Sequence, residues 1–133
     1  MIVVFDTNVF IAALVTEGLC SRLLRRARMN SFSLVCSPFI NEEVRGTLSK
    51  KLHLSSEDTS EAMEVIGEAI SSFVVPDVTV SGVCHDSSDD NILACALMAK
   101  ADYLVTGDAD LLEIKDFKGT RIVTPRDFEA LFV

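Results

Sequence analysis

Four acidic positions in this chain have the residue type and placing to do chemistry. Asp6 ends a first predicted strand, and Asp108 ends a fourth. Asp89 or Asp90 opens the helix before that fourth strand, and Glu43 lies one turn into the helix after strand two. Carboxylates are hard oxygen ligands, and several at one point suit Mg²⁺ or Mn²⁺. Such ions lower the pKa of a bound water and clamp a phosphodiester, so that water attacks phosphorus directly. No residue is placed to be a covalent nucleophile. The plainer reading is structural, because acids at helix starts cap free N–H groups and complement the helix dipole. Convergence of the four would decide between the readings, and convergence depends on the elements that carry them.

Ile2 to Phe5 is a short run of β-branched and aromatic residues, read as a buried strand. Helices are expected over Asn8 to Leu14 and over Leu19 to Met29, the second carrying Leu19, Leu23 and Ala27 on one stripe. Phe32 to Cys36 reads as strand two. Ser37 and Pro38 then open a helix whose buried stripe is Ile40, Val44, Leu48 and Leu52. Glu43 borders that stripe, whereas Glu42 faces solvent. A capping-box-like start at Ser55 leads a helix with Ala62, Ile66 and Ala69 or Ile70 inward. Phe73 to Val75 is strand three, with Val78 to Val80 as an extension or edge piece. Asp86, Asp89 and Asp90 crowd the start of an apolar helix, Ile92 to Ala99. Like charges crowded there repel unless a cation is present. Tyr103 to Thr106 is strand four, followed by a turn, and Arg121 to Val123 is strand five. Thr124 caps a last helix through Phe132. Strands alternating with helices imply an α/β fold with a mostly parallel sheet. In such sheets ligands bind beyond the carboxyl ends of strands, where Asp6 and Asp108 fall.

The chain has 133 residues and suggests one domain, 1–133. At 49% apolar it has material for a core, and no run approaches a membrane span. No basic region precedes the first apolar stretch, so no signal peptide is expected and a cytoplasmic location is. The net charge of −8 argues against a binder that grips nucleic-acid backbone unspecifically, but not against a metal-loaded nuclease. Cys20, Cys36, Cys84 and Cys95 form no C-x-x-C pair and read as free, buried thiols. Cys84, His85 and Asp86 are too close in sequence to share a metal in extended chain. Arg22, Arg25 and Arg26, with Arg28, are the one basic cluster: a solvated helix face, or a surface for RNA phosphate or an acidic partner.

The motifs Val4-Phe5-Asp6-Thr7-Asn8-Val9, Ser37-Pro38 with Glu43, Asp86 with Asp89-Asp90-Asn91, and Leu104-Val105-Thr106-Gly107-Asp108 together resemble the PIN-domain family. The likeness is to its VapC-like toxins and extends over nearly the whole chain. It implies a PIN-like three-layer fold with a parallel sheet of about five strands in the order 3-2-1-4-5, helices on both faces. It also implies a Mg²⁺- or Mn²⁺-dependent endoribonuclease, a cognate antitoxin and a homodimer. Carried over residue by residue, it gives metal-ligand roles to Asp6, Glu43, Asp89 (favoured over Asp90) and Asp108, with Asp110 auxiliary. Asn8 and Thr106 would orient the carboxylates by hydrogen bonds. One departure is Gly107, where VapC toxins often carry a basic residue.

Two other readings compete. Asp6-Thr7-Asn8-Val9 and Gly107-Asp108-Ala109-Asp110 approach the motifs of haloacid-dehalogenase-type phosphatases. Asn8, however, replaces the second Asp that serves those enzymes as general acid, and Glu43 and Asp89 have no place there. A non-catalytic interaction module would keep the acids only as remnants, at the cost of their repulsion.

Overall fold

The centre of the sheet is β1 (Ile2–Phe5), whose Val3, Val4 and Phe5 are fully buried. Successive strand residues point to opposite faces, so their joint burial requires cover on both sides. In the computed structural model, which describes residues 1–77, 80, 82 and 87–132 (87 and 88 by backbone alone), β1 lies between two parallel neighbours. These are β2 (Ser33–Cys36) and β4 (Tyr103–Val105). Beyond them lie β3 (Ser72–Phe73), β5 (Asp116–Phe117) and β6 (Thr120–Val123), giving the order β3-β2-β1-β4-β6-β5. The parallel strands follow the expected 3-2-1-4-5, with β6 in fifth place.

The expected count of five is corrected to six by β5, an edge strand antiparallel to β6. Lys118 (φ 50°) and Gly119 (φ 95°) form the two residues between Phe117 and Thr120. Positive φ at both positions is the turn whose twist suits a tight hairpin. A strand of two residues carries no periodicity to read from sequence.

The helices are α1 (Thr7–Val15), α2 (Leu19–Arg28), α3 (Pro38–Gly46), α4 (Ser56–Ala69), α5 (Ser87–Ala99), α6 (Ala109–Ile114) and α7 (Pro125–Glu129). Ser37 and Ser55 cap α3 and α4 as expected, accepting from Ile40 N–H at 3.2 Å and Asp58 N–H at 3.0 Å. Helix α6 replaces the expected turn after β4: Asp108 caps it, accepting from the N–H groups of Asp110 and Leu111. Among the described residues, no single helix is long and apolar enough to cross a membrane.

Two further expectations fail for a shared reason, that the element stops early. Ile40, Val44 and Leu48 are buried, but Leu52 is 43% exposed. Helix α3 gives way to a π-helical turn over Thr47–Lys51, and Leu52 lies past its end. Strand β3 pairs for only two residues, leaving Phe73 half-exposed and Val75 largely exposed. The expected extension over Val78 and Thr79 lies outside the described residues, as do Cys84, His85 and Asp86. Cys36 and Cys95 are buried free thiols, and burial pushes them up to about 12 and about 11, so both stay protonated and inert. Cys20 is only half-buried.

Candidate active site

The ladder between β1 and β4 runs one residue past the strands: Asp6 N–H donates to the Val105 carbonyl at 3.0 Å. Thr106 N–H donates to the Val123 carbonyl at 3.0 Å. The backbone thus fixes Asp6 and Thr106 side by side at the carboxyl ends of the central strands. Asp6 occupies the N-cap position of α1, yet its side chain makes no capping bond to that helix. Its Oδ2 accepts instead from the Thr106 hydroxyl at 2.6 Å. The same Thr106 oxygen accepts from Asp108 N–H at 3.0 Å. One fully buried hydroxyl therefore ties together the two turns that carry Asp6 and Asp108.

Glu43 arrives from α3, which packs against α1. The Thr7 hydroxyl, at the start of α1, donates to its carboxylate. Asp89 arrives from the first turn of α5 and is buried. Asp6, Glu43, Asp89 and Asp108 line one cavity of about 160 Å³. Thr7, Asn8, Thr47 and Lys51 also line it, and Ile92 is the one apolar residue among its described walls. Asp6 is 3% exposed, and burial raises its carboxyl above the ordinary 3.8. The Thr106 hydroxyl and the Thr7 N–H oppose that rise, while the neighbouring Asp108 and Glu43 add to it.

The donor set fits Mg²⁺ or Mn²⁺: hard carboxylate oxygens, one of them buried beside like charges that a cation relieves. As the side chains stand, no three acid, His or Cys groups among the described residues meet at one coordination point. Asp6 and Glu43 are instead turned onto the hydroxyls of Thr106 and Thr7. The four carboxylates surround the cavity, and gathering them on an ion takes a side-chain adjustment.

The remaining sequence candidates separate clearly. Asp90 is buried but is not among the residues lining the cavity, whereas Asp89 is. Asp110 is exposed and also lies outside the lining. Asn8 is exposed and reaches the lining, while Thr106 makes the carboxylate bond expected of it. Arg22, Arg25 and Arg26 are not among the residues lining the cavity. Arg26 donates to Glu129 at 2.6 and 3.1 Å, and Arg22 pairs with the same carboxylate at 3.6 Å. Sequence reasoning missed Thr7, Thr47, Lys51 and Glu129. Thr47 was findable, since it follows Glu43 by four residues and so shares its helix face.

A family model described as the PIN domain matches residues 2–110. The chain belongs to the PIN-domain family, which sets aside the phosphatase reading. It is 31% identical over 118 residues to an uncharacterized protein of Methanocaldococcus jannaschii, MJ1680, a match over 86% of this chain and 75% of that protein. Its fold is similar to a chain in the crystal structure of VapBC2 from Rickettsia felis bound to a DNA fragment from their promoter. That match has a TM-score of 0.65 and 16% identity, covering 93% of this chain and 98% of the other.

Proposed function

We propose that this protein is an endoribonuclease that cleaves RNA phosphodiesters with Mg²⁺ or Mn²⁺, acting in the cytoplasm as the toxin of a toxin–antitoxin pair. One observation carries the reading: four carboxylates from separate segments line a single polar cavity at the carboxyl ends of the central strands. Membership of the PIN family supports it, and the likeness to a chain of a VapBC2 structure is consistent with an antitoxin partner.

Asp6, Glu43, Asp89 and Asp108 would hold the ion, with Asp90 and Asp110 outside the cavity as subsidiary acids. The bound ion supplies an acidified water and neutralises charge on the attacked phosphate. Thr106 holds Asp6 through Oδ2, and so fixes the direction of its other oxygen. Thr7 does the same for Glu43. Arg22, Arg25 and Arg26 would contact RNA phosphate or an acidic partner; Arg26 is also bonded to Glu129, while Arg22, largely exposed, reaches that carboxylate only at 3.6 Å.

The test is incubation of purified protein with labelled single-stranded RNA, with Mn²⁺ and with EDTA. Cleavage that requires Mn²⁺ and is lost in Asp6→Asn is the expected result. Cleavage indifferent to EDTA, or none with Mn²⁺ in protein freed of any antitoxin, overturns the reading in favour of a non-catalytic module.

A further inference from the structure

One cation stands among the described residues that line the carboxylate cavity, and it is Lys51. An ordinary helix would not have put it there. Residues four apart in an α-helix differ by about 40° around the axis, so two such steps carry position 51 roughly 80° away from Glu43. Instead the backbone opens into the π-helical turn over Thr47–Lys51. The Leu52 N–H donates to the Thr47 carbonyl at 3.0 Å, a span of five residues rather than four. A wider turn advances each residue by a smaller angle, so Lys51 swings back over Thr47 and Glu43. Leu48, in the same turn, is fully buried. Single π-turns within helices occur disproportionately at functional sites.

Lys51 is exposed, and among the described residues no ion pair holds it. Its ammonium is a compact charge with three donors on a flexible stem, which suits a phosphate oxygen. The cavity creates a need for such a charge. Four ionised carboxylates with one divalent ion still leave the pocket negative, and an incoming phosphodiester is repelled at short range.

We propose that Lys51, turned into the cavity by the π-helical segment, grips a non-bridging phosphate oxygen of the RNA beside the bond to be cut. The proposal rests on the nuclease reading and adds to it a substrate contact distinct from the metal-binding acids. Lys50, exposed in the same segment and outside the lining, serves as a control of equal charge.

The experiment compares wild type, Lys51→Gln, Lys51→Arg and Lys50→Gln in RNA cleavage across a salt series, with Mn²⁺ affinity measured separately. Lys51→Gln should raise KM for RNA by roughly tenfold while leaving kcat and Mn²⁺ affinity near wild type. The salt slope of RNA affinity should flatten by about 0.7, the value of one phosphate contact on a single strand. Lys51→Arg should retain most of the affinity, and Lys50→Gln all of it. If Lys51→Gln matches Lys50→Gln in KM and salt slope, Lys51 is a solvated surface lysine and the proposal falls alone. If it lowers kcat and Mn²⁺ affinity with KM unmoved, Lys51 orders the acids instead, and the proposal again falls alone. A wild type that cleaves no RNA with Mn²⁺ overturns the nuclease reading and takes this inference with it.

Discussion

Charge is handled in opposite ways at two places in this molecule. Where α2 meets α7, Glu129 receives two bonds from Arg26 and a weaker contact from Arg22. Arg26 also stacks over the Phe132 ring at 4.8 Å. Phe128 packs beneath, with ring centroids 5.2 Å from Phe32 and 5.6 Å from Tyr103. The Arg26 guanidinium holds the Glu129 carboxyl below its ordinary 4.5. At the cavity, burial pushes Asp6 above its ordinary 3.8, and Asp108 and Glu43 push the same way. The first region satisfies its acid from within the chain. The second gathers four acids around one cavity, where Asp6 and Glu43 are held by hydroxyls rather than by cations, and like charges so placed oppose folding.

The largest effects are expected from the cavity acids themselves. Glu43→Gln and Asp6→Asn should each lower RNA cleavage by more than about a hundredfold, beyond the roughly 10–100-fold typical of outer ligand-orienting groups. Glu42→Gln, exposed on the neighbouring helical position, and Glu129→Gln should keep activity. Equal losses at Glu42 and Glu43 would mean that the cavity does not select between them.

A milder change tests the hydroxyl that links Asp6 to Asp108. Thr106→Val keeps the buried shape and removes both hydrogen bonds. Mn²⁺ affinity, read by titration calorimetry, should fall roughly 10–100-fold. Unchanged affinity would show that Asp6 needs no orienting partner.

Stability should move in opposite directions in the two regions. The raised pKa of Asp6 means that the folded protein holds that proton more tightly than the unfolded chain does. Its contribution is therefore complete below 3.8 and is lost as pH rises through the native value. In EDTA at neutral pH, Asp6→Asn should melt a few degrees above wild type, and the gain should vanish in acid. Mn²⁺ should reverse the ranking, since wild type then gains binding energy that the variant lacks. A variant that melts below wild type in EDTA at neutral pH would make Asp6 a structural partner after all.

The smallest effect belongs to the α2–α7 corner. Glu129 has a lowered pKa, so its contribution is present above 4.5 and is lost as pH falls through its lower native value. Glu129→Gln should lower the melting temperature slightly at neutral pH, by less than Asp6→Asn raises it, because the partnered groups are partly exposed and screened. The difference should close on acidification. A deficit that widens in acid would remove the contrast between the regions.

Local chemistry is what the sequence alone determined. The buried run Ile2 to Phe5, the caps at Ser37 and Ser55, and the acid after each central strand follow from side-chain type and near-neighbour spacing. Those signals are enough for the α/β class and for placing Asp6, Glu43 and Asp108 at the ends or starts of their elements, whereas the strand order came from the likeness to the PIN-domain family. That Asp89, which the family likeness already favoured, is among the residues lining the cavity while Asp90 is not needed the packed helix α5, since both acids are buried. Whether Asp6 caps α1 or turns to Thr106 also needed the fold, since its partner lies 100 residues away. The arginine cluster stays largely exposed, but that Arg26 is tied to Glu129, 103 residues away, was visible only in the fold. Lys51 lines the cavity at the end of a segment where the backbone widens from α to π, which no side-chain spacing announced. Hydrogen bonds and packing between distant segments leave no periodic trace in the chain, and for that reason only the folded molecule decides them.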